Sequence, residues 1–174
     1  MPSRFLRQRA ARLFLALWPG GAELDAVVKW QQSVAWPATA RPTLRQNIHV
    51  TLHFLGPVPR GRLQELVHML AVPVRPFELI FDRSALWSRG LVVLTASHPP
   101  SALLELHAAL SERLLRAGLP VESRPYVPHL TLARKANDSV LDSMHARETE
   151  MMWRVASYVL VESEGGRYTV LARY

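Results

Sequence analysis

The chain has 174 residues, of which 49% are hydrophobic and 20% are charged. This balance supplies a full apolar core for a single domain and excludes an intrinsically disordered chain. The absence of cysteine excludes disulfides and thiolate metal sites. That absence also fits a reducing cytoplasm, where we expect the protein to be. No apolar run approaches the roughly 18 residues of a membrane span, so we expect no membrane insertion.

The net charge of +7 is carried mostly by arginine. Arginine forms bidentate contacts with phosphate, so this charge favours a polyanionic partner. A genomic bias toward arginine codons would explain the composition equally well.

The elements of the first half alternate between strand and helix. Residues 1–10 contain three arginines and predict a flexible basic arm. An apolar strand over 12–18 is followed by a helix over 23–35, where apolar residues recur at helical spacing. A loop over 36–47 with two prolines then leads into a second strand, which ends at Gly56 before a helix over 60–70.

The second half begins with a predicted hairpin, whose strands cover 77–86 and 91–97. Pro99 and Pro100 open a helix that ends at Gly118. A loop over 122–128 leads into the next strand. A short helix over 138–145 and two strands over 154–162 and 167–172, joined by a turn at Gly165 and Gly166, close the chain.

A His-apolar-Thr-apolar stretch occurs twice, at 49–52 and at 129–132. Side chains alternate along a strand, so each copy presents its histidine and threonine on one face, roughly 6.6 Å apart. Two ordinary strands with a solvent-facing polar side would give the same pattern, but two such copies in one chain are improbable by chance. We therefore interpret the repeat as the main functional signal.

The order of elements is similar in the two halves, and the two motif histidines lie 80 positions apart. We predict an α+β fold in which residues 11–174 form a single bilobal domain. Antiparallel sheets of two similar lobes would line a central cleft, with the helices on the outside.

The repeated residues suit proton transfer at a phosphate. His49 and His129 can serve as general acid and general base, because an imidazole titrates near neutral pH. Thr51 and Thr131 can donate hydrogen bonds to phosphate oxygens as negative charge develops there. A zinc enzyme is the alternative, but it needs a further ligand because two histidines underfill the zinc shell.

Four stretches resemble a known family: RLFLALWP, NIHVTLHFLG, RPYVPHLTLAR and ESEGGRYTVLARY. They resemble the RNA 2′,3′-cyclic phosphodiesterases, historically called 2′-5′ RNA ligases, of the two-histidine phosphoesterase superfamily. The resemblance covers residues 12–174. It implies hydrolysis of an RNA 2′,3′-cyclic phosphate end to a 2′-phosphate, without a metal or another cofactor.

The resemblance also implies roles for the repeated residues. His49 would be the proton donor to the leaving 3′-oxygen, and His129 the proton acceptor that activates water. Thr51 and Thr131 would bind the phosphate.

Three further residues are implied as substrate contacts. Arg134 matches a phosphate-binding position, although strict alternation puts it on the face opposite His129, so a bulge or strand end is needed to bring it round. Phe14 matches an aromatic that stacks on a base, and a core residue is the alternative. His53 is expected on the same face as His49, as a substrate contact or as an exposed strand histidine.

Other polar residues leave alternatives open. His107 lies on the apolar face of its helix and is predicted to be a core histidine. Arg41 and Arg45, in the loop before the first motif, either meet RNA phosphates or are solvated loop charges.

Two further functions stay open beside hydrolysis. The same site can join the cyclic end to a 5′-hydroxyl, which is 2′-5′ ligation. A non-catalytic RNA- or nucleotide-binding module is the second alternative, although binding alone would not require two titratable groups. We expect a monomer whose partner is an RNA or nucleotide with a 2′,3′-cyclic phosphate end.

Overall fold

The computed structural model describes residues 10–146 and 149–174. In this part of the chain, two antiparallel sheets pack with four α-helices, which confirms the predicted α+β class. The helices are α1 (Gly21–Ser33), α2 (Leu63–Met69), α3 (Ser101–Arg116) and α4 (Leu141–His145). The strands are β1 (Ala10–Leu17), β2 (Arg41–Pro42), β3 (Val50–Pro59), β4 (Phe77–Phe81), β5 (Arg83–Trp87), β6 (Leu91–Thr95), β7 (His129–Arg134), β8 (Met151–Val155), β9 (Val159–Glu164) and β10 (Arg167–Arg173).

The large sheet has the strand order β10-β9-β1-β3-β7-β6-β5, with the short β2 paired to β7. The two motif strands, β3 and β7, are neighbours at its centre and share the antiparallel pair Val50–Leu130. The closing hairpin β9–β10 pairs with β1. The half of the sheet beside the first motif is thus completed by the C-terminal end of the chain.

The four predicted helices are present, with their ends shifted by a few residues. The turn at Gly165 and Gly166 is also confirmed: both have positive φ, at 57° and 83°, which suits the tight connection between β9 and β10. Ala10 begins β1, and the rest of the predicted basic arm lies outside the described residues. None of the helices in 10–146 or 149–174 has the length and hydropathy needed to cross a membrane.

Two of the predicted strands are divided in the structure. Each becomes two shorter strands that belong to different sheets. The predicted strand over 77–86 breaks at Asp82, whose carboxylate accepts hydrogen bonds from the backbone and side chain of Ser97. The predicted strand over 154–162 breaks before Tyr158, whose backbone pairs with that of Tyr174. The first part of each, β4 and β8, forms a small second sheet. A continuous apolar pattern does not reveal such a change of sheet, because both sheets bury their side chains in the same core.

The main core lies between the helices and one face of the large sheet. It includes the apolar residues of both motifs, Val50, Leu52, Leu130 and Leu132. Burying side chains of this size contributes roughly 1.5–3 kcal/mol each. Since a one-residue slip of the strand would expose them, their burial fixes the motif histidines and threonines on the opposite face.

Candidate active site

The two motifs meet at the centre of the sheet. The pair Val50–Leu130 places His49 across from Thr131 and Thr51 across from His129. In such an antiparallel pair, diagonal neighbours such as His49 and His129 lie roughly 7–8 Å apart. The structure thus brings together the four residues that the repeat predicts, on one face and within reach of one phosphate-sized group.

Both histidines are held by the backbone in the same way. His49 Nδ1 donates a hydrogen bond to the carbonyl of Asn47 at 2.7 Å, and His129 Nδ1 donates to the carbonyl of Val127 at 2.8 Å. A carbonyl can only accept, so Nδ1 carries the hydrogen in each ring and Nε2 remains for proton transfer. The Nε2 atom of His49 lies 3.1 Å from the hydroxyl of Thr51, which donates to it when the ring is neutral.

The surroundings favour the neutral form of both rings. Burial lowers the pKa of His49, and the nearby charges of His129 and Arg134 lower it further, against the opposing hydrogen bond to Asn47. Burial and the charge of Arg134 likewise lower the pKa of His129. A bound anion between the rings would act in the opposite sense, because negative charge stabilises an imidazolium.

Aromatic rings support each histidine. The indole of Trp18 lies parallel to the His49 ring, with centroids 5.2 Å apart, and Trp87 packs on His129 at 4.7 Å. Phe14 contacts His49 at 5.0 Å and is only 3% exposed. Phe14 therefore holds the His49 ring in place, and its stacking on a base stays a prediction.

A bulge in β7 turns Arg134 toward the site. Thr131 pairs with Val93 and Ala133 pairs with Val92, so Leu132 is an extra residue without a partner of its own. Leu132 and Ala133 are both fully buried, and the next residue, Arg134, returns to the face of Thr131. Its influence on the pKa of both histidines agrees with this placement.

The carbonyl of the bulged Leu132 is bound by a residue that sequence reasoning missed. Gln31 of α1 is 7% exposed, and its Nε2 donates to the carbonyls of Leu132 at 2.7 Å and Thr43 at 2.9 Å. The Thr43 amide also donates to the Leu132 carbonyl, at 2.8 Å. The sequence signal for the role of Gln31 was its position among the buried residues of an amphipathic helix, because a buried amide needs hydrogen-bond partners.

A matching bulge in β3 changes the direction in which His53 points. Thr51 pairs with Ala16 and His53 pairs with Leu15, so Leu52 is the extra residue. His53 therefore faces the core, is 3% exposed, and donates from Nε2 to the carbonyl of His107 at 3.0 Å. The prediction that it shares a face with His49 as an exposed residue is wrong, because strict alternation ends at the bulge, while its role as a substrate contact stays a prediction.

His53 belongs instead to a stack of three rings beneath the site. Its ring lies 4.0 Å from that of His107, which in turn lies 4.0 Å from the ring of Tyr126. Burial and the neighbouring His53 lower the pKa of His107 to about 4. The hydroxyl of Tyr126 donates to the carbonyl of Thr51 at 3.2 Å, which links the loop before β7 to the first motif strand.

Phe54 is a second residue that sequence reasoning missed. It follows its motif histidine by five positions, as Arg134 does, and the bulge turns it back to the cleft face in the same way. Phe54 is 68% exposed, and its ring centroid lies 6.1 Å from that of Phe14. The repeat could have identified Phe54, since it occupies the same position relative to His49 as Arg134 does relative to His129.

A cavity of about 560 Å³ opens beside His129. Its lining includes Thr51, Phe54, Trp87 and the three stacked rings of His53, His107 and Tyr126. Among the described residues, no group of three or more His, Cys, Asp or Glu side chains is arranged to hold a metal ion. The site thus combines two titratable rings, two hydroxyls and one guanidinium with room for a small organic group.

Comparisons with known proteins identify the family of this chain. The model of the 2′-5′ RNA ligase superfamily matches residues 28–167. An RNA 2′,3′-cyclic phosphodiesterase of Escherichia coli is 33% identical over 132 residues, which cover 74% of each chain. One of Methanocaldococcus jannaschii is 27% identical over 125 residues, covering 71% of this chain and 70% of the relative.

A solved structure is similar over nearly the whole chain. The crystal structure of E. coli LigT complexed with 3′-AMP superposes with a TM-score of 0.81 at 28% identity, covering 95% of this chain and 97% of LigT. The family match, the sequence relatives and this shared architecture agree. The chain belongs to the 2′-5′ RNA ligase superfamily.

Proposed function

We propose that this protein hydrolyses 2′,3′-cyclic phosphate ends of RNA to 2′-phosphates by metal-free acid–base catalysis. The observation that carries the proposal is the pair of imidazoles, His49 and His129, each anchored through Nδ1 and each with a threonine across the strand pair. The RNA 2′,3′-cyclic phosphodiesterases among the relatives support the choice of substrate.

The cyclic phosphate would sit between the two motif strands. The hydroxyls of Thr51 and Thr131 and the guanidinium of Arg134 would bind its non-bridging oxygens, where negative charge grows during the reaction. These groups are fixed by the sheet before substrate arrives, so little reorganisation is needed.

The hydrolytic step needs one proton acceptor and one proton donor. His129 Nε2 takes a proton from water as the water oxygen bonds to phosphorus. The bond from phosphorus to the 3′-oxygen breaks, and His49 Nε2 gives that oxygen a proton. The products are a 2′-phosphate and a 3′-hydroxyl, and the two histidines return to their starting states by exchanging protons with solvent.

His49 must be protonated at the start of this step. Burial lowers its pKa in the free protein, but the negative phosphate raises it again and offsets the charge of Arg134. The protonated Nε2 then donates a hydrogen bond instead of accepting one from Thr51. Substrate binding would thus create the acid that the reaction uses.

The cavity beside His129 provides space for the terminal nucleoside. The exposed ring of Phe54 offers a face on which a base can stack, in the way that aromatic side chains bind single-stranded RNA.

The test is incubation with an RNA ending in a 2′,3′-cyclic phosphate in the presence of EDTA, followed by separation of the products. We expect a 2′-phosphate, and a loss of about 10²–10⁴-fold in rate for His49→Ala and for His129→Ala. His68→Ala, at an exposed position on α2, is the matched control.

Four outcomes would contradict the proposal. A 3′-phosphate product would mean that the other P–O bond breaks. Turnover abolished by EDTA would mean that a metal takes part. Full activity in either active-site variant would exclude that histidine from proton transfer. A 2′-5′-linked product in the presence of a 5′-hydroxyl RNA would assign the site to ligation.

A further inference from the structure

Four exposed cations come together where β7 ends. Arg41 of β2 is the direct cross-strand partner of Arg134 of β7, and Lys135 follows in the chain. The turn that carries Arg89 lies against the same point, because the carbonyl of Gly90 accepts a hydrogen bond from the amide of Ala136 at 3.0 Å. We call Arg41, Arg89, Arg134 and Lys135 the basic patch.

None of the patch residues forms an ion pair with a carboxylate in the described part of the chain. Six other arginines do, at positions 45, 60, 62, 75, 116 and 124. The contrast is clearest in the loop before the first motif, where Arg45 pairs with Asp25 at 2.5 Å and Arg41 is left to face Arg134. Like charges directly across two strands destabilise the fold, so an anionic partner would relieve this patch.

Backbone strain is concentrated in the patch. Arg89 and Lys135, with φ of 62° and 56°, are the non-glycine residues with positive φ within 10–146 and 149–174. Such a conformation is strained for any residue with a Cβ, whereas glycine adopts it freely. The close approach also requires Gly90, since a Cβ there would lie 2.3 Å from the Ala136 oxygen. The fold thus keeps long cationic side chains at positions where glycine would be more stable.

The guanidinium of Arg41 is already positioned. Its Nη1 donates to the carbonyls of Ala38, Thr39 and Ala40 at 3.4, 3.2 and 3.0 Å. The other edge of the guanidinium is not used by these bonds. A side chain held in this way loses less entropy when it binds a phosphate.

We infer that the basic patch binds the phosphate backbone of RNA upstream of the reacting 3′ end, so that the protein prefers oligonucleotides to mononucleotides. The inference rests on the proposed function, which fixes the 3′ end in the site. Arg134 belongs to both the site and the patch, so the patch adjoins the bound 3′ end.

The experiment compares two substrates that share the same terminal cyclic nucleotide. One is the nucleoside 2′,3′-cyclic phosphate alone, and the other is an RNA of about eight nucleotides, a length within the range that single-strand binding sites cover. The patch variant carries Arg41→Gln, Arg89→Gln and Lys135→Gln. The control variant carries Lys29→Gln, Arg75→Gln and Arg116→Gln, which removes the same charge elsewhere on the surface.

We expect the patch variant to lose about 10–100-fold in kcat/KM for the oligonucleotide and to keep wild-type kcat/KM for the mononucleotide. For the oligonucleotide, the slope of log kcat/KM against log salt concentration should fall in magnitude by about 2, because each of the three lost phosphate contacts contributes about 0.7 to the slope. Thermal unfolding of both variants checks that the fold is retained.

Equal oligonucleotide preference in the patch and control variants would overturn the inference. Failure of the proposed function is distinguishable, because it would appear as the absence of turnover of both substrates by the wild-type protein. Fluorescence anisotropy with the same RNA ending in a 2′-phosphate then measures the patch independently of catalysis. Equal affinity of wild type and patch variant would overturn the inference in that assay.

Discussion

Replacing the buried amide of Gln31 should destabilise the fold and loosen the site together. Gln31→Met keeps the length of the side chain but removes the Nε2 donor that serves the carbonyls of Leu132 and Thr43. The Leu132 carbonyl retains the Thr43 amide as a partner. The Thr43 carbonyl loses the partner that Gln31 supplies.

The size of the effect follows from these bonds. Each lost hydrogen bond is worth about 1 kcal/mol, and the partly buried Thr43 carbonyl adds about 1 kcal/mol, the lower end of the cost of a carbonyl without a partner. Burial of the methionine offsets part of this, so we expect a loss of about 2–3 kcal/mol in the free energy of unfolding. Gln31→Glu should cost more, because a carboxylate offers no donor to either carbonyl.

Two measurements test this reasoning. Urea unfolding should give a lower midpoint with an unchanged m-value. Steady-state kinetics should give a fall of about tenfold in kcat/KM, because the bulge that aims Arg134 is less well held. The matched control is Gln32→Met, at the exposed neighbouring position. If Gln31→Met and Gln32→Met differ by less than about 0.5 kcal/mol in free energy of unfolding, the amide does not stabilise the bulge.

Three other predictions concern neighbouring residues. Arg134→Gln should lower kcat/KM by about 10–100-fold and move its pH optimum upward, because the Arg134 charge lowers the pKa of both histidines; an unmoved optimum in the pH–rate profile would contradict this. His107 has its pKa lowered from 6.5 to about 4 in the fold, so its contribution to stability is present above pH 6.5 and lost as the pH falls toward 4. After allowance for solvent screening, we expect the free energy of unfolding of the wild type to fall by about 1–2 kcal/mol over that pH range. Urea unfolding of His107→Phe should show a measurably smaller fall. Phe54→Ala should raise KM for a cyclic-phosphate RNA about tenfold or more and leave the free energy of unfolding nearly unchanged; Leu115→Ala, at another exposed apolar position, should change neither.

The sequence predicted the elements whose signal is local. The apolar faces of the helices, the glycine turn at Gly165 and Gly166, and the two motif strands all follow from spacing alone. The meeting of His49 and His129 also followed, because the same motif occurs twice. Arg134 was identified only through the family resemblance, and the alternation of side chains argued against it.

The errors arise where the partner strand decides the geometry. The bulges at Leu52 and Leu132 depend on how β3 and β7 pair with β1 and β6, which one strand's own sequence does not encode. One extra residue was enough to move His53 from the face of His49 and Thr51 to the buried face of the sheet. The change of sheet at Asp82 has a similar origin, since it is fixed by hydrogen bonds to the distant Ser97.

The two bulges also give the site a direction. The backbone around the histidines repeats almost as a two-fold copy, and a site with full two-fold symmetry would accept a phosphate equally well in either of two orientations. The fifth position after each histidine breaks that degeneracy, because one copy has the neutral ring of Phe54 and the other the cation Arg134. An RNA end has a base on one side and charge on the other, so it fits this pair one way round. Two chemically identical imidazoles are thereby expected to become a distinct acid and a distinct base.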